Sequence, residues 1–396
     1  MKNFNFLLLL TLFLIACSRE DTTLIDEPQQ PVYFAEPVNS AEIVNSEKLN
    51  FVIDTVAMDL ESPWGMAFLP DGSMLVTEKP GRLRMIKEGK LLPDSILGVP
   101  EVVAKGQGGL LDIQLHPDYE SNGWLYISYS APGDGGANTA VMRAKLQGNS
   151  LVEQEVIFQA TPFTGKSHHF GSRIEFDEAG YMYITVGDRG ERDKNPQSLE
   201  SYCGKVHRLY DDGRIPEDNP FVNEENAVAS IYSYGHRNPQ GLARHPETGA
   251  IWEHEHGPQG GDEVNEVKPG VNYGWPVITY GINYDNTIIT EDTAMAGMEQ
   301  PLHYWDPSIA PCGMAFVSSD KYPEWKNNLL VGSLKFRYLA RCEVQGNAIV
   351  HEEKLLDTMG RVRAVEQGLD GYVYVAMESP GQIVRIFPRE ASTQGQ

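Results

Sequence analysis

The sequence predicts an all-β fold, a six-bladed β-propeller with inserted loops. Three observations predict it. One strand–turn–strand unit occurs six times, the turns share a Pro-Asp-Gly-like composition, and convincing amphipathic helices are few. Six units of this kind suit radial repetition around a channel. A stacked β-sandwich is the alternative.

Taken in order, residues 1–16 form a targeting segment: Lys2 supplies positive charge and Phe6 to Ile15 an apolar run. Leu14, Ile15, Ala16 and Cys17 have the form of a bacterial lipobox, so Cys17 is the expected lipidation site. Residues 17–48 are rich in Asp, Glu, Pro, Gln and Asn and read as a flexible tether. Residues 49–390 hold enough apolar sequence for the propeller, and 391–396 form a tail.

The six units follow. Trp64 to Phe68 leads through Pro70-Asp71-Gly72 to Met74–Thr77, and Gly109 to Ile113 through His116-Pro117-Asp118 to Trp124–Ile127. Ser172 to Phe176 leads through Asp177–Gly180 to Met182–Thr185, and Gly241 to Arg244 through His245-Pro246 to Ala250–Trp252. Gly313 to Phe316 leads, after an insertion, to Asn328–Val331, and Val362 to Val365 through Asp370-Gly371 to Tyr372–Val375. In a propeller the innermost strands line the channel, so their entrances share one face. Those entrances collect Gln107, His168, His169, Arg173, His236, Arg237, Asn238, Arg361 and Arg363.

The formal net charge of −23 argues against nucleic acid as a partner and against loose docking on anionic lipid. Cys203, Cys312 and Cys342 remain after Cys17, so at most one internal disulfide forms, its pairing open. In a chain this acidic, Arg237, Lys335, Arg361 and Arg363 at one channel mouth ask for a multiply anionic ligand, and arginine suits carboxylates. His254 and His256 share one strand face, but no HExxH motif accompanies them. Glycine-rich backbone beside Asp262 and Glu263 suits calcium better than zinc. His169 is the natural proton acceptor, with His168 on the opposite side if the segment is extended.

The strings WGMAFLPDG, GQGGLLD, HFGSR, VGDRG, YGHRNPQGL, EHGP with GGDE, NYGWP, PSIAPCGMAF, GSLK and GRVR run from Trp64 to Arg363. Through them the chain resembles the soluble quinoprotein glucose/sorbosone dehydrogenases, in particular their aldose sugar dehydrogenase branch. The resemblance implies a propeller holding pyrroloquinoline quinone (PQQ) and calcium that oxidises the anomeric hydroxyl of aldoses to the lactone. It casts His169 as general base, Gln107 beside the reacting centre, and Arg237 as stabiliser of negative charge on the quinone oxygen. It assigns Asn238, Lys335, Arg361 and Arg363 to PQQ. Backbone carbonyls of Gly257 and Pro258 would bind a catalytic calcium, and Glu263 with the Tyr273 carbonyl a second, structural one. Gln259, where relatives often carry Arg, and Cys312, where a small polar residue is usual, depart from the pattern.

Expected partners are an aldose, an electron acceptor (a quinone or redox protein), and the membrane through the lipid anchor alone. Ser18 lacks the aspartate that retains many lipoproteins at the inner membrane, which favours the outer membrane, facing the periplasm or the cell surface. A non-catalytic binding propeller and a calcium-dependent lactonase are the alternative functions.

Overall fold

The computed structural model describes Met1, Phe34 and residues 43–389. The targeting segment, the lipobox with Cys17, most of the tether and the tail at 391–396 lie outside the described residues. Six antiparallel sheets stand around a channel, five of four strands and one of five. The innermost strands are Pro63–Phe68, Leu110–Leu115, Ile174–Phe176, Pro239–Arg244, Pro311–Phe316 and Arg361–Gln367. Besides these sheets, the described residues include a one-turn helix at Tyr119–Asn122 and a 3₁₀ turn at Pro323–Trp325. No described helix is long and apolar enough to cross a membrane.

The expected turns form for the expected reason. At Pro70-Asp71-Gly72 the Gly72 amide donates to the Leu69 carbonyl at 2.9 Å with Gly72 at φ 85°, a conformation that favours glycine. The Asp71 carboxylate accepts the Ser73 amide at 2.9 Å, so the side chain closes the turn it starts.

The last blade shows how the ring closes. Its strands Arg361–Gln367, Val373–Ser379 and Gln382–Pro388 are completed from the other end of the chain by Asn50–Ala57, which pairs with Gln382–Pro388. Ile43–Asn45 then adds an outer strand to Asn50–Ala57, inside the segment whose composition reads as tether. Joining both ends of the domain in one sheet protects two edges at once. The apolar clusters fill the wedges between blades. One joins Phe51, Trp325, Leu330, Val365 and Ile386 across the fifth and sixth. Cys203, Cys312 and Cys342 are buried free thiols, so no internal disulfide forms among them.

Two local features set the channel mouth. Five of the six inner strands carry a register shift near the entrance, at Pro63/Met66, Leu110/Ile113, Pro239/Gly241, Cys312/Met314 and Arg361/Val362. Bulges of this kind turn side chains out of the regular alternation. Below the mouth, Arg173 spans the channel. Its guanidinium donates to Asp112 at 3.2 Å, to the Gln240 carbonyl at 2.8 Å and to the Arg363 carbonyl at 2.8 Å, and lies 4.0 Å over the Trp64 ring. Arg173 thus ties five blades together rather than facing the mouth. Replacing it by Ala would leave the buried Asp112 charge uncompensated and is expected to cost about 3–5 kcal/mol, read as a lowered denaturant midpoint.

Candidate active site

Every inner strand delivers residues to one end of the channel. A cavity of about 790 Å³ there is lined by Trp64, Lys79, Gln107, Lys335, Arg361, Arg363 and Glu378, among others. A second, of about 320 Å³, adjoins it through the shared walls Pro258 and Tyr284 and holds His168, His169, Asp188 and Arg237. At the opposite channel mouth a depression beside Phe68, His116 and Glu366 carries no lysine or arginine on its walls. Among the described residues the cations gather at the first end; the opposite end shows Arg244 beside Glu175 and Glu366.

His169 is held from two sides. Its Nδ1 is 2.7 Å from Asp188 Oδ1, and its own amide donates to Gln107 Oε1 at 2.7 Å. Asp188 also accepts the Gly190 amide at 2.7 Å and the Trp275 indole N–H at 2.9 Å. A carboxylate surrounded by donors makes Nδ1 the protonated nitrogen and leaves Nε2 with a free lone pair. Burial, then the Arg237 charge, pushes the His169 pKa down to about 4 against the pull of Asp188. Burial would raise the Asp188 carboxyl, yet the His169 hydrogen bond and charge, Arg237 and the Gly190 amide together hold it below its ordinary value. Gly187 is required beside them, because a Cβ there would come within 2.3 Å of the His169 carbonyl oxygen.

The condition that would place His168 opposite His169 is not met. Both histidines line the same cavity with ring centroids 4.6 Å apart. His169 has φ 56°, a left-handed residue, so the segment is not extended and alternation does not apply.

The cations are organised by a carboxylate the sequence reading passed over. Glu378 lies 2.6 Å from Arg363 Nη2 and 3.7 Å from both Arg361 and Lys79. Burial alone would raise its carboxyl, but Arg363, Arg361 and Lys79 hold it down. Arg361 also donates to the Leu334 carbonyl at 3.0 Å, fixing it beside Lys335. Four cations against one carboxylate leave a net positive cavity. Asn238 is buried beneath the floor, accepting the Gly171 amide at 3.2 Å. Asn238 Nδ2 and Arg363 Nε are buried with no hydrogen-bond partner among the described residues, two donors that lack an acceptor.

Arg237 bridges to a third, small cavity. Its Nη1 donates to the His256 and Gly257 carbonyls at 2.9 and 2.7 Å. That cavity, about 10 Å³ and sized for one ion or water, is lined by Glu255, Gly257, Glu263 and Tyr273. Gly257 therefore sits with Glu263 and Tyr273, whereas Pro258 lines the two larger cavities. Behind it, one ligand atom each from His236, Glu253 and Glu255 lies within 4.8 Å of the others. Glu253 Oε2 is buried without a partner among the described residues. Burial, with the Glu255 charge adding to it, pushes the Glu253 and Glu263 carboxyls well above their ordinary value. Asp262, expected beside a cation, is committed instead to the Gly257 amide, the Ser308 hydroxyl and the Ala310 amide at 2.7–2.8 Å. His254 and His256 each contact a carbonyl of the fifth blade's inner strand, Gly313 at 3.4 Å and Pro311 at 2.7 Å.

Sequence reasoning missed Asp188, Trp275, Lys79 and Glu378. A signal existed for the first two in the VGDR and NYGWP strings.

Comparison with known proteins shows the family and agrees with the propeller fold. The family model described as Glucose / Sorbosone dehydrogenase matches residues 60–385. The aldose sugar dehydrogenase YliI of Escherichia coli is 43% identical over 345 residues, covering 85% of this chain and 93% of that one. The crystal structure of the soluble aldose sugar dehydrogenase from Escherichia coli in its apo form superposes with TM-score 0.82 at 40% identity, over 86% of this chain and all of that one. The PQQ-bound aldose sugar dehydrogenase of Streptomyces coelicolor gives TM-score 0.70 at 27% identity, over 86% and 98%.

Proposed function

The chain belongs to the glucose/sorbosone dehydrogenase family, and we propose that it oxidises the anomeric C1 hydroxyl of aldoses to the lactone with PQQ as cofactor and His169 as general base. The carrying observation is the free Nε2 of His169, oriented by Asp188, on the wall adjoining a four-cation cavity.

The residues present fit PQQ, a tricarboxylate bearing an ortho-quinone. Lys335, Arg361 and Arg363, with Lys79, would hold its carboxylates. Arg363, on the cavity wall, has an unused donor in Nε, and Asn238 Nδ2 is another just beneath the floor. When bound, PQQ supplies the two-electron hydride acceptor. His169 Nε2 takes the proton of the anomeric hydroxyl, which frees C1 to give up its hydride as the lactone carbonyl forms. Asp188 keeps the ring in the tautomer and orientation that this transfer needs. Gln107 fixes the His169 backbone, and Arg237 offers positive charge where negative charge develops. For calcium, Glu255 and Glu263 of the small cavity would supply carboxylate oxygens, and Gly257 and Tyr273 backbone carbonyls, with that of Gly257 shared with Arg237.

The test is to reconstitute purified protein with PQQ and calcium, add aldoses and an artificial electron acceptor, and follow reduction. Bound PQQ without sugar-dependent reduction would refute the assignment. The natural acceptor is proposed to be a quinone or redox protein, and the protein to be held at the membrane by lipid on Cys17. Cys17→Ala is then expected to move it from the membrane pellet to the soluble fraction, and a pellet unchanged by that substitution rules the anchor out.

A further inference from the structure

Tyr284 lines both larger cavities, and its 73% exposure is unusual for a tyrosine at the wall of a catalytic cleft. It sits on the long insertion between strands Asp262–Glu266 and His303–Trp305 of the fourth blade. That insertion is not loose at this point. Gln259 and Ile282 exchange backbone hydrogen bonds at 3.0 and 3.1 Å. The Gln259 amide donates to Asn286 Oδ1 at 2.8 Å, and Arg192 donates to Asn283 Oδ1 at 2.6 Å. Within the turn, Asn283 N donates to the Thr287 carbonyl at 2.9 Å and Asp285 accepts the Thr287 hydroxyl at 2.6 Å. Gln259, a departure from the family pattern, is thus one of the pins of the turn that carries Tyr284.

A phenol ring carried on a turn pinned from both sides, and itself open to a polar cleft, is a contact surface awaiting a partner. Tyrosine offers a large flat face at little entropic cost, and the face of its π system is electron-rich. A pyranose ring presents a face of C–H groups, weakly positive and apolar, with hydroxyls around its edge. The cleft supplies groups for those hydroxyls beside the ring, in Arg192, Asp193 and Asn283. We propose that Tyr284 is the stacking platform for the pyranose ring of the aldose and a determinant of sugar affinity. The inference rests on the dehydrogenase reading and adds the residue that receives the sugar's apolar face.

The experiment compares wild type, Tyr284→Ala and Tyr284→Phe as PQQ- and calcium-loaded enzymes, with D-glucose and maltose and a small artificial acceptor. Loss of the ring is expected to raise KM about three- to tenfold, with kcat within about twofold, because the contact is made equally in ground and transition states. Tyr284→Phe is expected to keep the wild-type KM. A parallel arm uses methyl β-D-glucopyranoside, which has no free anomeric hydroxyl, and reads NMR saturation transfer from protein to the sugar C–H protons. Transfer in wild type and Tyr284→Phe that is lost in Tyr284→Ala supports the platform even if no aldose is oxidised, which separates its fate from that of the dehydrogenase reading. An unchanged KM in an active Tyr284→Ala, a lowered kcat at constant KM, or saturation transfer unaffected by the substitution overturns it. So does an effect seen with a protein acceptor but not with the small one, which would make Tyr284 a docking residue.

Discussion

Replacing His169 by Gln should lower kcat for aldoses by about 10²–10⁴-fold while PQQ binding, followed by absorbance titration, stays at the wild-type level. The two readouts separate because His169 belongs to the smaller cavity, and Lys79, Lys335, Arg361 and Arg363 to the larger. Asp188→Asn should fall in the same range for a different reason. The carboxylate accepts from His169 Nδ1, Gly190 and Trp275, and it alone dictates which imidazole nitrogen carries hydrogen. An amide there can donate to Nδ1 and so drive the proton onto Nε2, removing the lone pair the reaction needs. The pH profile carries an independent check. A base works in its neutral form, and burial with Arg237 lowers the His169 pKa to about 4. Its activity is therefore lost as pH falls through that value, and kcat/KM should stay flat from pH 8 to pH 5 before declining. An acid limb centred at the ordinary histidine value of 6.5 that persists in His169→Gln would show that His169 is not the group titrating.

Much of this was legible because a propeller repeats one unit. The apolar strands and Asp-Gly turns gave six inner strands, and the rule that inner-strand entrances share a face brought Gln107, His169, Arg237, Arg361 and Arg363 to one end of the channel, where Lys335 joins them from the exit of a second strand. What the pattern could not give was the partner of each charge. Glu378 ends the strand Val373–Ser379, which returns antiparallel to Arg361–Gln367, so its tip lies beside the entrance that carries Arg361 and Arg363. Lys79, just past the strand Met74–Glu78, reaches the same mouth by the same geometry. The exit of the second strand is thus as informative as the entrance of the first, and reading both would have found these residues. The side His168 takes was not legible, because alternation presumes an extended chain and no periodicity announces a left-handed His169. The strand Asn50–Ala57 belongs to the last blade through pairing across some 330 residues, a contact that no local pattern encodes.

Calcium should raise the thermal midpoint of the protein, and the increase should grow with pH between 6.5 and 8.5. Glu253 and Glu263 are buried together beside Glu255, and their folded-state pKa values lie well above the ordinary 4.5. A carboxyl raised in the folded state binds more protons there than in the unfolded chain once pH exceeds about 4.5. Without a cation, stability therefore falls as pH rises from that value through the raised ones, because ionised carboxylates are forced together out of water. A bound divalent cation meets those ionised groups and cancels the penalty, so its stabilising effect is greatest where the penalty is greatest. At a calcium concentration about a thousand times its Kd, linkage alone supplies about 4 kcal/mol. Other buried groups titrate nearby. Lys205, pushed down to about 7 by burial, becomes less costly as pH rises, and His169 stays neutral in the folded state throughout. Both act alike with and without calcium and drop out of the difference between the two series. Glu263→Gln removes one ionisable carboxyl and one ligand, so it should stabilise the chelator-treated protein at pH 8.5 and shrink the calcium response. A calcium increment independent of pH, or one untouched by Glu263→Gln, would place the ion elsewhere than the cavity between Glu255, Gly257 and Tyr273.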